Sequence, residues 1–371
     1  MSRRRLLFFV TEDYYFVSHR LALARAAQAA GYEVAVVTRV RECGEVITRS
    51  GLRLIPFENV RSGLNPLAEL RTLLRLIALY RRERPDLVHH VAMKPVLYGS
   101  VAALFAGRPA VVNAVAGMGW LFTSGGLARW LKPLVRGALS RVLGTGIALV
   151  QNPDDAQMVA AMGVPLAKIR LVKGSGVDLK AFYPHPEPAG MPVVLFPARL
   201  LWDKGVGEFV AAAARLRTAG VDARFVLAGQ PDPLNPASVT ANDVAGWVRD
   251  GVVEHRGWVT DMPGLLAGCH LVCLPSYREG LPKSLIEAAA AGKAIVTTDV
   301  PGCREAVRHE DNGLLVPPRD PQALADALRS LLDDPARRQA MGARGRVRAE
   351  QEFALEGIIQ QTLTIYGEAL A

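Results

Sequence analysis

The residues that most constrain the fold of this chain are Pro275–Val307, PSYREGLPKSLIEAAAAGKAIVTTDVPGCREAV, with the apolar run Leu271–Leu274 just ahead of them. Two short apolar runs, Leu271–Leu274 and Lys293–Thr298, flank a turn and a short helix-patterned segment, KSLIEAAAAG. Apolar runs of that length bounded by turn signals read as buried strands, so the stretch predicts a strand–turn–helix–strand unit. Pro282 fits the first helical turn, where a missing N–H costs nothing, and Gly292 fits the stop. The N–H groups of Lys283 and Ser284 would then point out of the helix start toward the carboxyl end of the strand, a ready place for a phosphate.

Two carboxylates frame this anion site. Glu279 lies in the loop before the helix and Glu287 inside it. Beside a phosphate they would be repulsive unless they had another task, and an ionised carboxylate can accept hydrogen bonds from sugar hydroxyls. A nucleotide-sugar offers both a diphosphate and hydroxyls. The competing reading makes Glu279 a surface loop residue and Glu287 a helix-pairing one.

Glu279-x7-Glu287 within REGLPKSLIEAAAAGKAIVTTDVPGCREAV resembles the signature of the retaining glycosyltransferases of family 4, which have the GT-B fold. The resemblance implies an α/β protein of two doubly wound, Rossmann-like parallel-sheet domains facing across a cleft. It implies that Glu279 contacts the transferred sugar and Glu287 the ribose. The diphosphate would rest on the loop and helix start Gly280, Leu281, Pro282, Lys283 and Ser284. Arg199 and Lys204, in the loop after the strand that opens VVLFPARLLWDKGVGEF, match the family's cations, which neutralise the leaving diphosphate. The Arg256–Trp258 backbone stands where relatives read the base. No metal and no cofactor are expected, the nucleotide-sugar being a substrate.

The first half is less complete. Strand Leu6–Val10 is followed by a helix, Ser18–Ala30, with Ser18 as its N-cap and Gly31 as its stop. Where the family usually carries a Gly-Gly pair this chain has Tyr14-Tyr15, so aromatic rings would shape an acceptor site there. His19 either faces the cleft or serves as a capping or packing histidine. In DLVHHVAMKP only one of His89 and His90 can face the cleft, since adjacent strand residues point opposite ways. His90 shares parity with Lys94, whose ammonium suits an acceptor phosphate or is a simple surface lysine. Ala110–Ala114 leads into VNAVAGMGWLFTSGG, a glycine-rich loop containing Gly117. Many relatives place a His near Ala116 to contact the transferred sugar, and either Asn113 or a backbone carbonyl would have to substitute for it. The acceptor-binding set expected is therefore His19, Tyr15, His90, Lys94, Asn113 and Gly117.

The resemblance and the proline-rich run Pro184–Pro192 divide the chain into 1–183, an acceptor-binding domain, and 184–353, a nucleotide-sugar domain. Residues 354–371 are expected to cross back to the first. Half the residues are apolar and 21% are charged, as in a globular protein. No apolar run approaches the ~18–20 residues of a membrane span. Leu6–Val10 is shorter than a secretory core of ~7–15 residues. Four cysteines without metal spacing read as reduced thiols of a cytosolic protein.

The net charge of +9 is uneven: residues 1–185 carry 25 Lys and Arg against 12 Asp and Glu, a net of +13, leaving −4 on the rest. No basic-aromatic interleaving supports nucleic acid as a partner. The basic half suits an anionic surface or acceptor. Arg129, Lys132, Arg136 and Arg141 lie among the apolar positions of Leu127–Leu143, either a helix resting on an anionic membrane or a core helix with solvated arginines.

SHRLALARAAQAAGYEV, VHHVAMKPVLYGS and SYREGLPKSLIEAAAAG resemble bacterial transferases that extend polyprenyl-diphosphate-linked glycans. That resemblance implies a UDP-sugar donor, such as a UDP-N-acetylhexosamine or UDP-galactose. It also implies a lipid-diphosphate-linked acceptor, and the basic first half with its segment Leu127–Leu143 points to a peripheral place on the inner face of the plasma membrane. A GT-B sugar-nucleotide epimerase and a catalytically idle sugar-nucleotide-binding subunit stay open. A dehydrogenase is disfavoured, since neither half shows G-x-G-x-x-G after its first strand.

Overall fold

The computed structural model describes residues 3–58, 66–115 and 137–371. Gly117 and Ala116, and with them most of the basic segment expected at Leu127–Leu143, lie outside the described residues.

The chain forms two compact units: Met1–Ser175 with Glu356–Ala371, and Gly176–Leu355. The sheet of the first unit runs β1 (Arg5–Glu12), β2 (Glu33–Arg39), β3 (Arg53–Pro56), β4 (Leu87–Val91), β5 (Ala110–Ala114), β6 (Ile147–Val150) and β7 (Ile169–Leu171). Its strand order is β3-β2-β1-β4-β5-β6-β7, all parallel. The second sheet comprises β8 (Val193–Pro197), β9 (Arg224–Ala228), β10 (Glu254–His255), β11 (Leu271–Leu274), β12 (Ala294–Thr298) and β13 (Gly313–Val316). Its order is β10-β9-β8-β11-β12-β13, again all parallel. Both are doubly wound, with the strand order reversing between β1 and β4 and between β8 and β11. Such a reversal opens a crevice at the carboxyl ends of the strands, where ligands of this architecture bind.

The strands are continuous apolar runs because parallel sheets are covered on both faces. Val193–Pro197, Leu271–Leu274 and Ala294–Thr298 are buried throughout. The second unit begins ahead of the expected 183/184 boundary, since Val177 bridges Ala354 and both Val177 and Phe182 belong to its core. The helix Leu355–Leu370 packs into the first core through Ile358, Ile365 and Tyr366.

The first helix differs from the expectation. It starts at Asp13, not at Ser18, runs to His19, and restarts at Leu21 after a break at Arg20. The buried Asp13 carboxylate takes the N–H groups of Arg41 and Cys43 at 2.7 and 2.8 Å, which fixes the start five residues earlier. Ser18 lies within the helix and its hydroxyl donates back to the Tyr14 carbonyl at 2.9 Å.

His89 and His90 are both fully buried. His90 lies 2.7 Å from Asn113 Oδ1 through Nδ1 and 3.0 Å from Tyr80 OH through Nε2. Burial pushes its imidazole down to about 4, against the pull of the Asn113 bond. The unfolded chain titrates near 6.5, so this histidine contributes stability above about pH 6.5 that is lost as the pH falls toward 4. The loss reaches ~3 kcal/mol if His90 acts alone. Urea unfolding midpoints should fall over that window and fall less in His90→Gln. Equal slopes in the two proteins would assign the acid sensitivity elsewhere.

Candidate active site

The site builds from two loops flanking the β8/β11 reversal. After β8 the chain passes through Arg199 and a 3-10 turn, Trp202–Lys204, to Gly205 at φ +74, and then enters the helix Val206–Thr218. After β11 it passes through Pro275–Pro282 into the helix Lys283–Ala290. The Asp203 carbonyl accepts from Tyr277 N at 2.9 Å, joining the two loops. Gly205 packs its α-carbon on the Pro275 carbonyl, and a Cβ there would overlap that oxygen. Gly205→Ala combines that overlap with a left-handed backbone, so it should cost roughly 2–4 kcal/mol. Thermal unfolding of the variant measures this, and an unchanged midpoint would refute the close approach.

Lys204 and Glu279 meet across this junction. Lys204 Nζ lies 2.5 Å from Glu279 Oε1, and Ser276 Oγ lies 2.7 Å from the same oxygen. Both anchors fall on Oε1, so Oε2 keeps its acceptor capacity. Thr298, at the end of β12, donates to the Ser276 carbonyl and fixes the loop from behind. Arg199 Nη1 donates to Asp232 Oδ2 at 2.8 Å and remains one-third exposed.

Pro282 is one residue earlier in the helix than expected. It is the N-cap, with extended backbone at φ −69 and ψ 117, and no side chain caps the helix. Lys283 and Ser284 therefore supply the first two N–H groups, which lie outside the helix's own ladder. Leu281 is buried in the core beneath them. Glu287 is buried on the following turn and ion-pairs with Lys283 four residues before it. Burial raises its carboxyl above the ordinary range, and Lys283 offsets part of that rise. Arg256 is exposed and 3.3 Å from Glu254, and its N–H is spent on the Leu227 carbonyl. Only its carbonyl and the backbone that follows could meet a base.

The acceptor residues expected in the first unit are not brought together in the same way. Tyr15 and His19 stack with ring centroids 4.1 Å apart, half-buried on the helix after β1. His90 and Asn113 are a correction. Both are fully buried and bonded to each other, with Ser100 Oγ donating to Asn113 Oδ1 at 3.1 Å. Parity selects a face of the sheet, but both faces are covered, so neither side chain is exposed at the crevice. Lys94 sits on the helix Met93–Phe105 and pairs with Glu69 at 2.9 Å. Sequence reasoning missed Ser276, Asp232 and Asp203, whose roles depend on loop closure. It also passed over Arg20, which lies in an apolar helical pattern.

Two doubly wound parallel sheets, with a basic and acidic loop junction at the reversal of the second, define a GT-B glycosyltransferase. Anabaena HepE, solved in complex with UDP-glucose, has the same fold, with a TM-score of 0.80 at 18% identity over 98% of this chain and 99% of that one. A family model described as glycosyl transferases group 1 matches residues 191–334, and one described as glycosyl transferase 4-like matches 5–144. The chain is 30% identical to the N,N'-diacetylbacillosaminyl-diphospho-undecaprenol alpha-1,3-N-acetylgalactosaminyltransferase of Campylobacter jejuni, over 85% of this chain and 86% of that protein. It is 25% identical to the UDP-Gal:alpha-D-GlcNAc-diphosphoundecaprenol alpha-1,3-galactosyltransferase of Escherichia coli, over 72% and 71%. The chain belongs to this family of glycosyltransferases and is a hexosyltransferase.

Proposed function

We propose that the protein transfers a hexose or N-acetylhexosamine from a UDP-sugar to a hydroxyl of a polyprenyl-diphosphate-linked saccharide, with retention and without a metal. The observation that carries this reading is the Lys204–Glu279 pair at the sheet reversal. Glu279 Oε1 is held by Lys204 and Ser276, which leaves Oε2 to accept from hydroxyls of the transferred sugar. The diphosphate lies against Arg199, Lys204 and the first-turn N–H groups of Lys283 and Ser284, with Glu287 on the ribose. The bond from the anomeric carbon to the β-phosphate oxygen breaks. The acceptor oxygen bonds that carbon on the same face, and its proton passes to the departing phosphate. Positioning and charge complementarity supply the catalysis. The two relatives named for undecaprenol-diphosphate acceptors support the acceptor class, and the one named for UDP-Gal supports the base.

Incubation with UDP-sugars and a polyprenyl-diphosphate glycan in excess chelator tests this, with the anomeric configuration of the product read by NMR. An α-linked product from the α-linked donor supports the reading. An inverted product, or activity only after metal is restored, overturns the corresponding part.

The lipid acceptor requires approach to a membrane, and no described helix is long and apolar enough to cross one. A surface for peripheral contact is present on the helix Pro66–Glu83. Leu67, Leu70 and Leu74 are 78%, 53% and 57% exposed, interleaved with the exposed Arg71, Arg75, Arg81 and Arg82. Apolar side chains ringed by arginines suit an anionic bilayer surface. Replacing the three leucines and Arg71 and Arg75 by Ser should release the protein from anionic vesicles in a flotation assay. Undiminished flotation would remove this face from the reading.

A further inference from the structure

A small open-mouthed pocket lies at the carboxyl edge of the first sheet. Arg20, His89, Val115, Gln151, Gly174 and Thr362 are among the residues lining it. Two of them bring buried hydrogen-bonding atoms without a protein partner: Arg20 Nε and His89 Nε2. Arg20 is only 6% exposed, and its one hydrogen bond is from Nη1 to the His19 carbonyl at 3.2 Å. Among the described residues no carboxylate pairs with it. A buried guanidinium without a counter-ion is costly, because desolvation is not offset by any opposite charge.

The state of His89 follows from its other side. Its Nδ1 lies 2.5 Å from the hydroxyl of the fully buried Tyr366, which has no second hydrogen-bond partner among the described residues. If Tyr366 donates to Nδ1, the imidazole proton lies on Nε2 and points into the cavity as a donor. Burial and the nearby Arg20 charge hold this imidazole well below its ordinary range, so it is neutral at pH 7. The cavity thus presents a cation and a neutral N–H to whatever occupies it. A water oxygen could accept these bonds, but it would leave the Arg20 charge uncompensated.

We propose that this cavity is an oxyanion-binding subsite in which Arg20 and His89 Nε2–H hold an oxygen of a phosphate or carboxylate group. Its residues belong to the first unit, whereas Arg199 and Lys204 belong to the second, and it does not depend on the function proposed above. A lipid diphosphate as the source of the anion does rest on that function.

The test uses the full chain and its Arg20→Gln variant, with inorganic phosphate or a short-chain prenyl diphosphate as the probe and chloride at equal ionic strength as the reference. Saturating phosphate should raise the wild-type unfolding temperature by about 4 °C more than that of Arg20→Gln. It should also move the ¹⁵N resonances of the His89 ring. Tighter binding of prenyl diphosphate than of phosphate, lost in Arg20→Gln, assigns the site to a lipid headgroup; equal binding assigns it to a free anion. Because the donor site can also take phosphate, only the Arg20-dependent part counts. If Arg20→Gln does not fold, the wild-type ring resonances decide. Equal phosphate responses in the two proteins, or His89 resonances that ignore both anions, would overturn the subsite and leave a water-filled cavity.

Discussion

Replacing Glu279 by Gln lowers the transfer rate by roughly 10²–10³-fold while UDP affinity stays within a few fold, measured by turnover and by calorimetry. The separation follows from the two sides of the carboxylate. Oε1 is used within the protein, on Lys204 and Ser276, and Oε2 is the part available to a sugar. Gln preserves the size and one acceptor oxygen but removes the charge that complements a cationic anomeric centre. The nucleotide contacts proposed for Arg199, Lys204 and the helix start would keep their geometry. Turnover near that of the wild type would remove Glu279 from the mechanism. A parallel collapse of UDP binding would instead make it a structural partner of Lys204.

Lys204→Ala gives the complementary result: UDP affinity falls by about 10–100-fold, the range expected for one lost hydrogen bond to a charged group. The variant also strands Glu279, which lies in a half-buried loop with Ser276 as its remaining anchor. Turnover therefore falls further than binding does. Titration with UDP, GDP and ADP, with and without metal, separates base choice from diphosphate binding. UDP affinity unchanged in Lys204→Ala would move the diphosphate away from this loop junction.

The parts of this molecule that could be read from its sequence are those where local pattern and tertiary burial agree. Leu271–Leu274 is a strand at the limits read from its apolar run, since a doubly covered parallel strand is apolar throughout. Gly292, at φ +66, ends its helix as expected of a residue that adopts the left-handed region freely. Where a tertiary bond overrides the local signal, the pattern misleads. Ser18 has the chemistry of a cap, but the bonds from Arg41 and Cys43 to Asp13 decide where that helix begins. The alternation of His89 and His90 separates two faces without revealing that Tyr80 and Asn113 close over one and Tyr366 over the other. Arg20 was illegible for a related reason, because nothing in the apolar helical pattern shows that Arg20, unlike the exposed Arg25, is turned inward.

The helix Leu355–Leu370 also sets an order of events in synthesis. Its Ile358, Ile365 and Tyr366 complete the core that begins at β1, so residues 3–175 leave the ribosome with part of one face of their sheet uncovered. At about 5–20 residues per second, the intervening unit takes tens of seconds or less to be made. The second unit, contiguous in sequence, can close during that interval, whereas His89 waits for its hydroxyl partner until Tyr366 has emerged. A nascent chain arrested before residue 356 should therefore expose an apolar surface that chaperones bind. Fragment designs that stop at the proline-rich run would carry the same uncovered sheet into solution.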